Sequence, residues 1–264
     1  MGLNFRAGLG QSDVLILTLD ALRYDVAATT LAAGRTPVLA GLIGSWERRH
    51  SPGTFTLPAH QAFFAGFFPT PPGPGPHPRS LALRFPGSRS VDTHTLVLPG
   101  ESLMRAYAAH AYTTLCFGGT GFFDPRTRIG AALTRDFDEV HFERSFGVSS
   151  RSASARMFRA AATRLADLPA QQRCFIFLNA AATHPPTRRF LPGARAESPE
   201  TQAAALADLD AALPLLLDAL RLRGGALGVI CADHGTCFGE DGYAGHRVAH
   251  PSVWEVPYAE VEIV

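Results

Sequence analysis

Residues 13–20, DVLILTLD, decide the fold. From Asp13 to Leu19 the run is leucine and β-branched residues without polar alternation, which describes a strand covered on both faces. It stops at Asp20, so that carboxylate falls at the carboxyl end of a strand. Two later stretches repeat the design. Cys174 to Leu178 (CFIFL) runs into Asn179, and Leu227 to Ala232 runs into Asp233-His234-Gly235. Between the strands the pattern turns helical. Helices are expected over Ala27–Ala33, from Pro37 through Ile43, Leu57–Phe68, Leu103–Ala111, Ser152–Leu168 and Pro199–Arg223. The last carries Leu206, Leu209, Leu213, Leu216, Leu217 and Leu220 on one side, with Pro214 as an expected kink. Phe63, Phe64 and Phe67 recur at helical spacing and read as a core-facing stripe. Further strands are expected at Tyr112–Phe117 and Val256–Val264. Alternation of this kind predicts an α/β class with a mainly parallel sheet. Residues 69–78, rich in Pro and Gly, read as a surface loop, and 79–100 show no clear pattern.

Ligands of open α/β sheets gather at the carboxyl ends of the strands. Asp20, Asn179 and Asp233 would meet at that edge. Two acids there repel unless a cation lies between them, and His234 adds an imidazole. Such an oxygen and nitrogen set suits Zn or Mn better than Ca. Each Asp taken singly could equally cap a turn, so it is the Asp-His-Gly after a buried strand that carries the metal reading. Thr56 lies in Thr56-Leu57-Pro58-Ala59-His60, at the start of a helix whose free N–H groups favour an anion. A metal on its oxygen would favour the alkoxide and make it a nucleophile. Alone, a Thr in this place is more often a cap, and Thr54 is a competing position. His184, His246 and His250, all in turn-like contexts, are further candidate ligands or charge stabilisers.

In order, these segments resemble the alkaline phosphatase and sulfatase superfamily. Asp13–Asp25 is similar to its opening strand and metal-binding Asp, and Thr36-Pro37 to the T-P-N-L stretch that follows. TFTLPAHQAFFAGFFP (54–69) is similar to the nucleophile segment, and Cys174–Pro186 to the central strand with its His-x-Pro turn. Residues 206–235 resemble the long helix, strand and Asp-His-Gly, and 239–257 the G-E-x-G…V-P segment. Each motif is weak alone; together they span nearly the whole chain. The resemblance implies a single domain over 1–264: a three-layer αβα sandwich with a mainly parallel central sheet. It implies Asp20, Thr56, Asp233 and His234 as one metal site, with Thr56 as nucleophile. His246 or His250 would be a further ligand, and His184 a second-site ligand or a contact to the substrate phosphate. His60 is carried over with Thr56 and His184 among the catalytic residues.

The departures are informative. Sulfatases convert a Cys or Ser in C-x-P-x-R to formylglycine, which Thr56 cannot undergo. Thr-x-Pro-x-His is closer to the nucleotide pyrophosphatase and phosphodiesterase branch. Asn179 stands near an Asp of two-metal members, so the expectation is one or two divalent ions. The chain ends soon after its V-P, so the core is expected without the C-terminal sulfatase subdomain. A second copy or a partner subunit would then cover an open site.

The expected function is hydrolysis of a phosphate mono- or diester, or a phosphonate, through phospho-Thr56. The alternatives are a non-hydrolytic metalloprotein on the same scaffold (a lyase or a binding protein) and an intramolecular phosphoryl-transfer mutase. The substrate is expected to be a small anionic molecule. The 264 residues carry a formal net charge of +1 with 46% apolar and 18% charged residues, which gives no sign of nucleic-acid or membrane partners. All the basic side chains are Arg. Cys116, Cys174, Cys231 and Cys237 form no C-x-x-C pair, and residues 1–11 show no signal-peptide pattern. The expected location is therefore cytoplasmic, with reduced thiols.

Overall fold

The computed structural model describes residues 2–65, 81–83, 96–98 and 102–264. Its strands are β1 (Asp13–Leu19), β2 (Glu47–His50), β3 (Leu81–Leu83), β4 (Leu96–Leu98), β5 (Thr113–Gly118) and β6 (Glu139–Phe142), then β7 (Cys174–Ala180), β8 (Ala226–Cys231), β9 (Cys237–Phe238), β10 (Ala244–Gly245) and β11 (Glu255–Ile263). Its helices are α1 (Tyr24–Ala32), α2 (Pro37–Leu42), α3 (Thr56–Ala65), α4 (Leu103–Ala109) and α5 (Arg128–Thr134), then α6 (Ala153–Asp167), α7 (Pro199–Ala212), α8 (Pro214–Leu222) and α9 (Pro251–Trp254). The Pro/Gly-rich loop at 69–78 and the last turn of the Phe-rich helix, including Phe67, lie outside the described residues.

Seven strands form one sheet in the order β2-β11-β8-β1-β7-β5-β6. From β8 to β6 the pairing is parallel; β11 runs antiparallel to β8 and to β2. The two most apolar strands, β1 and β7, are central and buried along nearly their whole length. Alternate residues feed the two faces. Leu15, Leu17, Leu19, Ile176 and Leu178 face a core shared with α1, α2, α6, α7 and α8. Val14, Phe175 and Phe177 face a second core with Leu57, Phe64, Met104 and Leu133 from α3, α4 and α5. Helices on both faces of a mainly parallel sheet make the three-layer αβα sandwich expected from the sequence.

The expected long helix is two. Pro214 lacks the N–H that would continue α7, so α8 starts at it. Ser198 and Thr201 close a capping box at the start of α7. Strands β2 and β6 carried no readable signal because they lie at the sheet edges. Glu47–His50 is exposed throughout, and Glu139–Phe142 is half-buried. Among the described residues no helix is long and apolar enough to cross a membrane.

The amino end of β1 is anchored by a buried ion pair. Asp13 is fully buried and accepts from Arg223 Nε at 2.8 Å and from the Cys174 N–H at 3.0 Å. The same guanidinium donates to the carbonyls of Leu165, Leu168 and Gln172, tying the end of α6 to the sheet. Replacing Arg223 with Ala removes the closer of the two cations at this buried carboxylate and leaves only Arg173, 3.7 Å from Asp13 Oδ1; breaking a buried pair typically costs about 3–5 kcal/mol. We expect urea unfolding of Arg223→Ala to show a loss of that size. A loss under about 1 kcal/mol would mean that water or a neighbour compensates Asp13.

Candidate functional site

Strands β8, β1 and β7 are adjacent, so their carboxyl ends bring Asp233, Asp20 and Asn179 to one point. All three side chains are fully buried. The chain leaves β1 through Ala21, at φ +60°, a left-handed conformation that side chains with a Cβ seldom adopt. There the Ala21 N–H donates to Asp233 Oδ1 at 3.2 Å, and the His234 N–H donates to the same oxygen at 3.0 Å. Gly235 is needed for a different reason. A Cβ there would lie 2.1 Å from the Ser252 carbonyl oxygen, where α9 closes over the loop.

The remaining carboxylate oxygens, Asp20 Oδ1 and Oδ2 and Asp233 Oδ2, are buried and have no hydrogen-bond partner. The His234 ring sharpens this. Its Nδ1 lies 2.8 Å from the Gly235 carbonyl, which can only accept, so Nδ1 carries the proton and Nε2 presents a lone pair. That Nε2 faces Asp20 Oδ1 at 3.7 Å, Asp233 Oδ2 at 3.5 Å and Thr56 Oγ1 at 3.4 Å. Three carboxylate oxygens without a donor, beside a lone pair that only the Thr56 hydroxyl approaches, call for a cation. A ring fixed by a backbone carbonyl is the usual support of a metal-binding His. A tetrahedral zinc shell with bonds near 2.0–2.1 Å has donor-to-donor edges of roughly 3.3 Å, close to these separations. Asp20, Asp233 and His234 are also the one group of three such donors among the described residues. The donor set therefore fits a divalent metal, with Thr56 Oγ1 beside it.

Thr56 starts α3 as expected and is 4% exposed. His184 and His246 come to the same place. Their ring centroids are 5.2 Å apart, and His246 lies 4.7 Å from His234. His184 Nδ1 faces the Pro185 carbonyl at 2.5 Å, so its Nε2 is the free nitrogen. His250 does not join them. Its Nδ1 accepts from the Ser252 N–H to cap α9, and its Nε2 faces Asp241 at 3.2 Å. Of the two histidines expected near the V-P segment, His246 is the one in the site.

His60 also departs from expectation. It is fully buried, with its ring edge-on to Phe63, Phe64, Phe123 and Phe177. Nδ1–H donates to the Thr56 carbonyl at 2.7 Å, and Nε2 lies 3.3 Å from the Thr18 hydroxyl, which also reaches the Leu178 carbonyl at 3.3 Å. Asn179 Nδ2 donates to that hydroxyl at 3.2 Å. His60 thus positions Thr56 from beneath and has no open edge for a substrate. Burial drives its pKa down to about 3, so it is neutral.

Gln202 was not singled out in the sequence. It is fully buried on α7 and donates to the Ala21 carbonyl at 2.8 Å and the Thr183 carbonyl at 3.0 Å. It joins the turn after Asp20 to the turn before His184. The readable signal was a polar residue in register with Leu206, Leu209 and Leu213 on the apolar stripe.

Burial, followed by the Asp233 charge, pushes Asp20 up to about 6; burial pushes Asp233 up to about 7. Both exceed the unfolded carboxylate value of about 4. Without metal, the folded chain therefore holds more protons than the unfolded chain between about pH 4 and about 7, and its stability falls as pH rises through that window. We expect Asp20→Asn to raise the melting temperature of the metal-free protein at pH 8, by about 2–4 °C per kcal/mol of repulsion relieved. The same change should abolish the stabilisation that zinc gives the wild type. A lower metal-free melting temperature in Asp20→Asn would contradict this electrostatic picture.

No family model matches the chain, and no curated protein matches it in sequence. Solved structures do match in fold. The C-terminal periplasmic domain of phosphoethanolamine transferase EptC from Campylobacter jejuni aligns with TM-score 0.64 at 14% identity, over 95% of this chain and 79% of that one. The zinc complex of the C-terminal periplasmic domain of EptC from Escherichia coli aligns with TM-score 0.64 at 14% identity, over 96% and 73%. An alkaline phosphatase superfamily protein from Vibrio parahaemolyticus aligns with TM-score 0.61 at 16% identity, over 95% and 60%. At these identities the likeness is one of fold, and the chain has the fold of the alkaline phosphatase superfamily. It spans 60% of the Vibrio chain and 79% of the Campylobacter one.

Proposed function

We propose that this chain is a metal-dependent enzyme of phosphate-ester chemistry that passes a phosphoryl group through Thr56 and delivers it to water. The observation that carries this reading is the position of Thr56 Oγ1, 3.4 Å from the His234 lone pair and at the start of α3. Close to it are two carboxylates, with Asp20 Oδ1, Asp20 Oδ2 and Asp233 Oδ2 buried and without a hydrogen-bond partner. One divalent ion, Zn or Mn, held by Asp20, Asp233, His234 and Thr56, would neutralise both carboxylates and favour the Thr alkoxide. The free N–H groups at the start of α3 suit the phosphoryl oxygens. His246, kept neutral by burial that lowers its pKa to about 3, and His184 border the same space.

In the first half-reaction the bond from Thr56 Oγ1 to phosphorus forms as the ester P–O bond breaks, and the departing alcohol takes up a proton. In the second, water attacks the phosphothreonine and restores the Thr56 hydroxyl. His60 holds the Thr56 carbonyl throughout, which keeps the hydroxyl on line. A second reading, transfer to an acceptor alcohol, is favoured by the transferases among the fold neighbours. It differs only in the second nucleophile. The substrate in this proposal is a small anionic molecule.

Zinc- or manganese-loaded protein should hydrolyse p-nitrophenyl phosphate or bis-p-nitrophenyl phosphate. Thr56→Ala should lose about 10³-fold or more in kcat, as removal of a nucleophile does. Mass spectrometry of acid-quenched wild type should find phosphate on Thr56. Equal turnover by the two proteins would exclude the nucleophile. Added glycerol that captures most of the product as glycerol phosphate would select transfer over hydrolysis.

A further inference from the structure

The loop that carries His246 turns back at Arg247, at φ +71°. That left-handed conformation is strained for a residue with a Cβ and persists only where neighbours impose it. Here the Arg247 N–H donates to the Thr54 carbonyl at 2.8 Å, two residues ahead of Thr56. The guanidinium lies over the Phe55 ring, 4.8 Å from its centroid. Phe55 in turn leans on Phe122 at 6.4 Å. A cation is therefore fastened by its backbone and its side chain to the two residues preceding Thr56.

Its surroundings differ from those of the arginines that hold the fold together. Arg23, Arg126, Arg164 and Arg223 each pair with a carboxylate. Arg247 makes no ion pair among the described residues and is exposed. Its charge also reaches the site. Burial is the first cause of the lowered basicity of His234 and His246, and Arg247 adds to it in both. Asp20, Asp233 and a Thr alkoxide together carry more negative charge than one divalent ion cancels, and an incoming phosphate ester adds to it. A guanidinium with no ion pair among the described residues, stacked on the residue that precedes Thr56, would supply the missing positive charge. Its planar fork suits phosphate oxygens.

We propose that Arg247 is a substrate-binding and specificity-determining residue, its guanidinium pairing with a non-bridging oxygen of the phosphate group presented to Thr56. This rests on the phosphate-ester reading above. The stacking on Phe55 pre-orients the fork, so little side-chain freedom is lost when the anion binds. Arg247 thereby selects for anionic esters over neutral ones of the same shape.

The test compares zinc-loaded wild type, Arg247→Ala and Arg247→Lys. Calorimetry measures affinity for inorganic phosphate, and kinetics measure kcat and KM for p-nitrophenyl phosphate. In Arg247→Ala the phosphate Kd and the KM should rise about 10- to 100-fold, the range for a charged hydrogen bond, with zinc content and melting temperature unchanged. Arg247→Lys should recover part of the loss, keeping the charge without the fork. If Arg247 only covers Phe55, both constants stay within about twofold of wild type, and the proposal is overturned. Should the wild type turn over neither phosphate ester, the phosphate-ester reading fails. The phosphate affinities then decide alone: a loss in Arg247→Ala sustains the anion site, while equal affinities, or no phosphate binding by wild type at millimolar concentration, overturn it.

Discussion

Two carboxyl groups buried side by side, with oxygens that nothing donates to, are the constraint on which this structure turns. Asp20 and Asp233 end neighbouring strands, and the His234 lone pair points between them. A folded chain that kept these acceptors in contact without a cation would sacrifice stability for nothing, because each unsatisfied buried polar group costs about 1–3 kcal/mol, and charged ones more. The surrounding structure enforces the arrangement all the same. Ala21 is held in a left-handed turn, Gly235 is pressed against the Ser252 carbonyl, and Ser51 donates to the Asp233 carbonyl. A strained turn at Ala21 and close packing around an otherwise repulsive cluster mark a site built for something that the polypeptide alone does not supply.

The support extends outward in shells. Gln202 joins the turns after β1 and β7 from behind, and the Thr183 hydroxyl donates to the Asp20 carbonyl. Below, Asn179, Thr18 and His60 form a hydrogen-bonded line that ends on the Thr56 carbonyl. In front, Arg23 ties the start of α1 to Glu240, in the loop that leads to His246. All of these connections but the last bond of the hydrogen-bonded line, from His60 to Thr56 within α3, cross from one sequence segment to another. Thr56, the carboxylates and the imidazoles are thus fixed relative to one another by elements of the sheet and the helices packed on it.

Much of this was legible in the sequence for a simple reason. A buried parallel strand writes itself as an unbroken apolar run, and the first polar residue after it marks the sheet's ligand edge. That places Asp20, Asp233 and His234 without knowledge of the fold. Thr56 was readable only by its place in the order of motifs. Other features left little trace. Strands β2 and β6, exposed or half-buried at the edges, have no apolar signature. His250 and His246 look alike in sequence, and only the start of α9 shows that one of them is engaged as a helix cap. His60 belongs to the nucleophile motif, yet its ring is turned into an aromatic cage, which spacing cannot tell. Arg247 depends on a backbone angle that no sequence pattern announces.

The most direct test of the account is a metal titration. Protein stripped with chelator is titrated with zinc by calorimetry, with bound metal counted by plasma mass spectrometry, for wild type and Asp233→Asn. The account predicts that wild type binds at least one equivalent tightly and that Asp233→Asn loses that equivalent while remaining folded. A wild type that binds no zinc or manganese, or an Asp233→Asn protein that binds as wild type does, would contradict it.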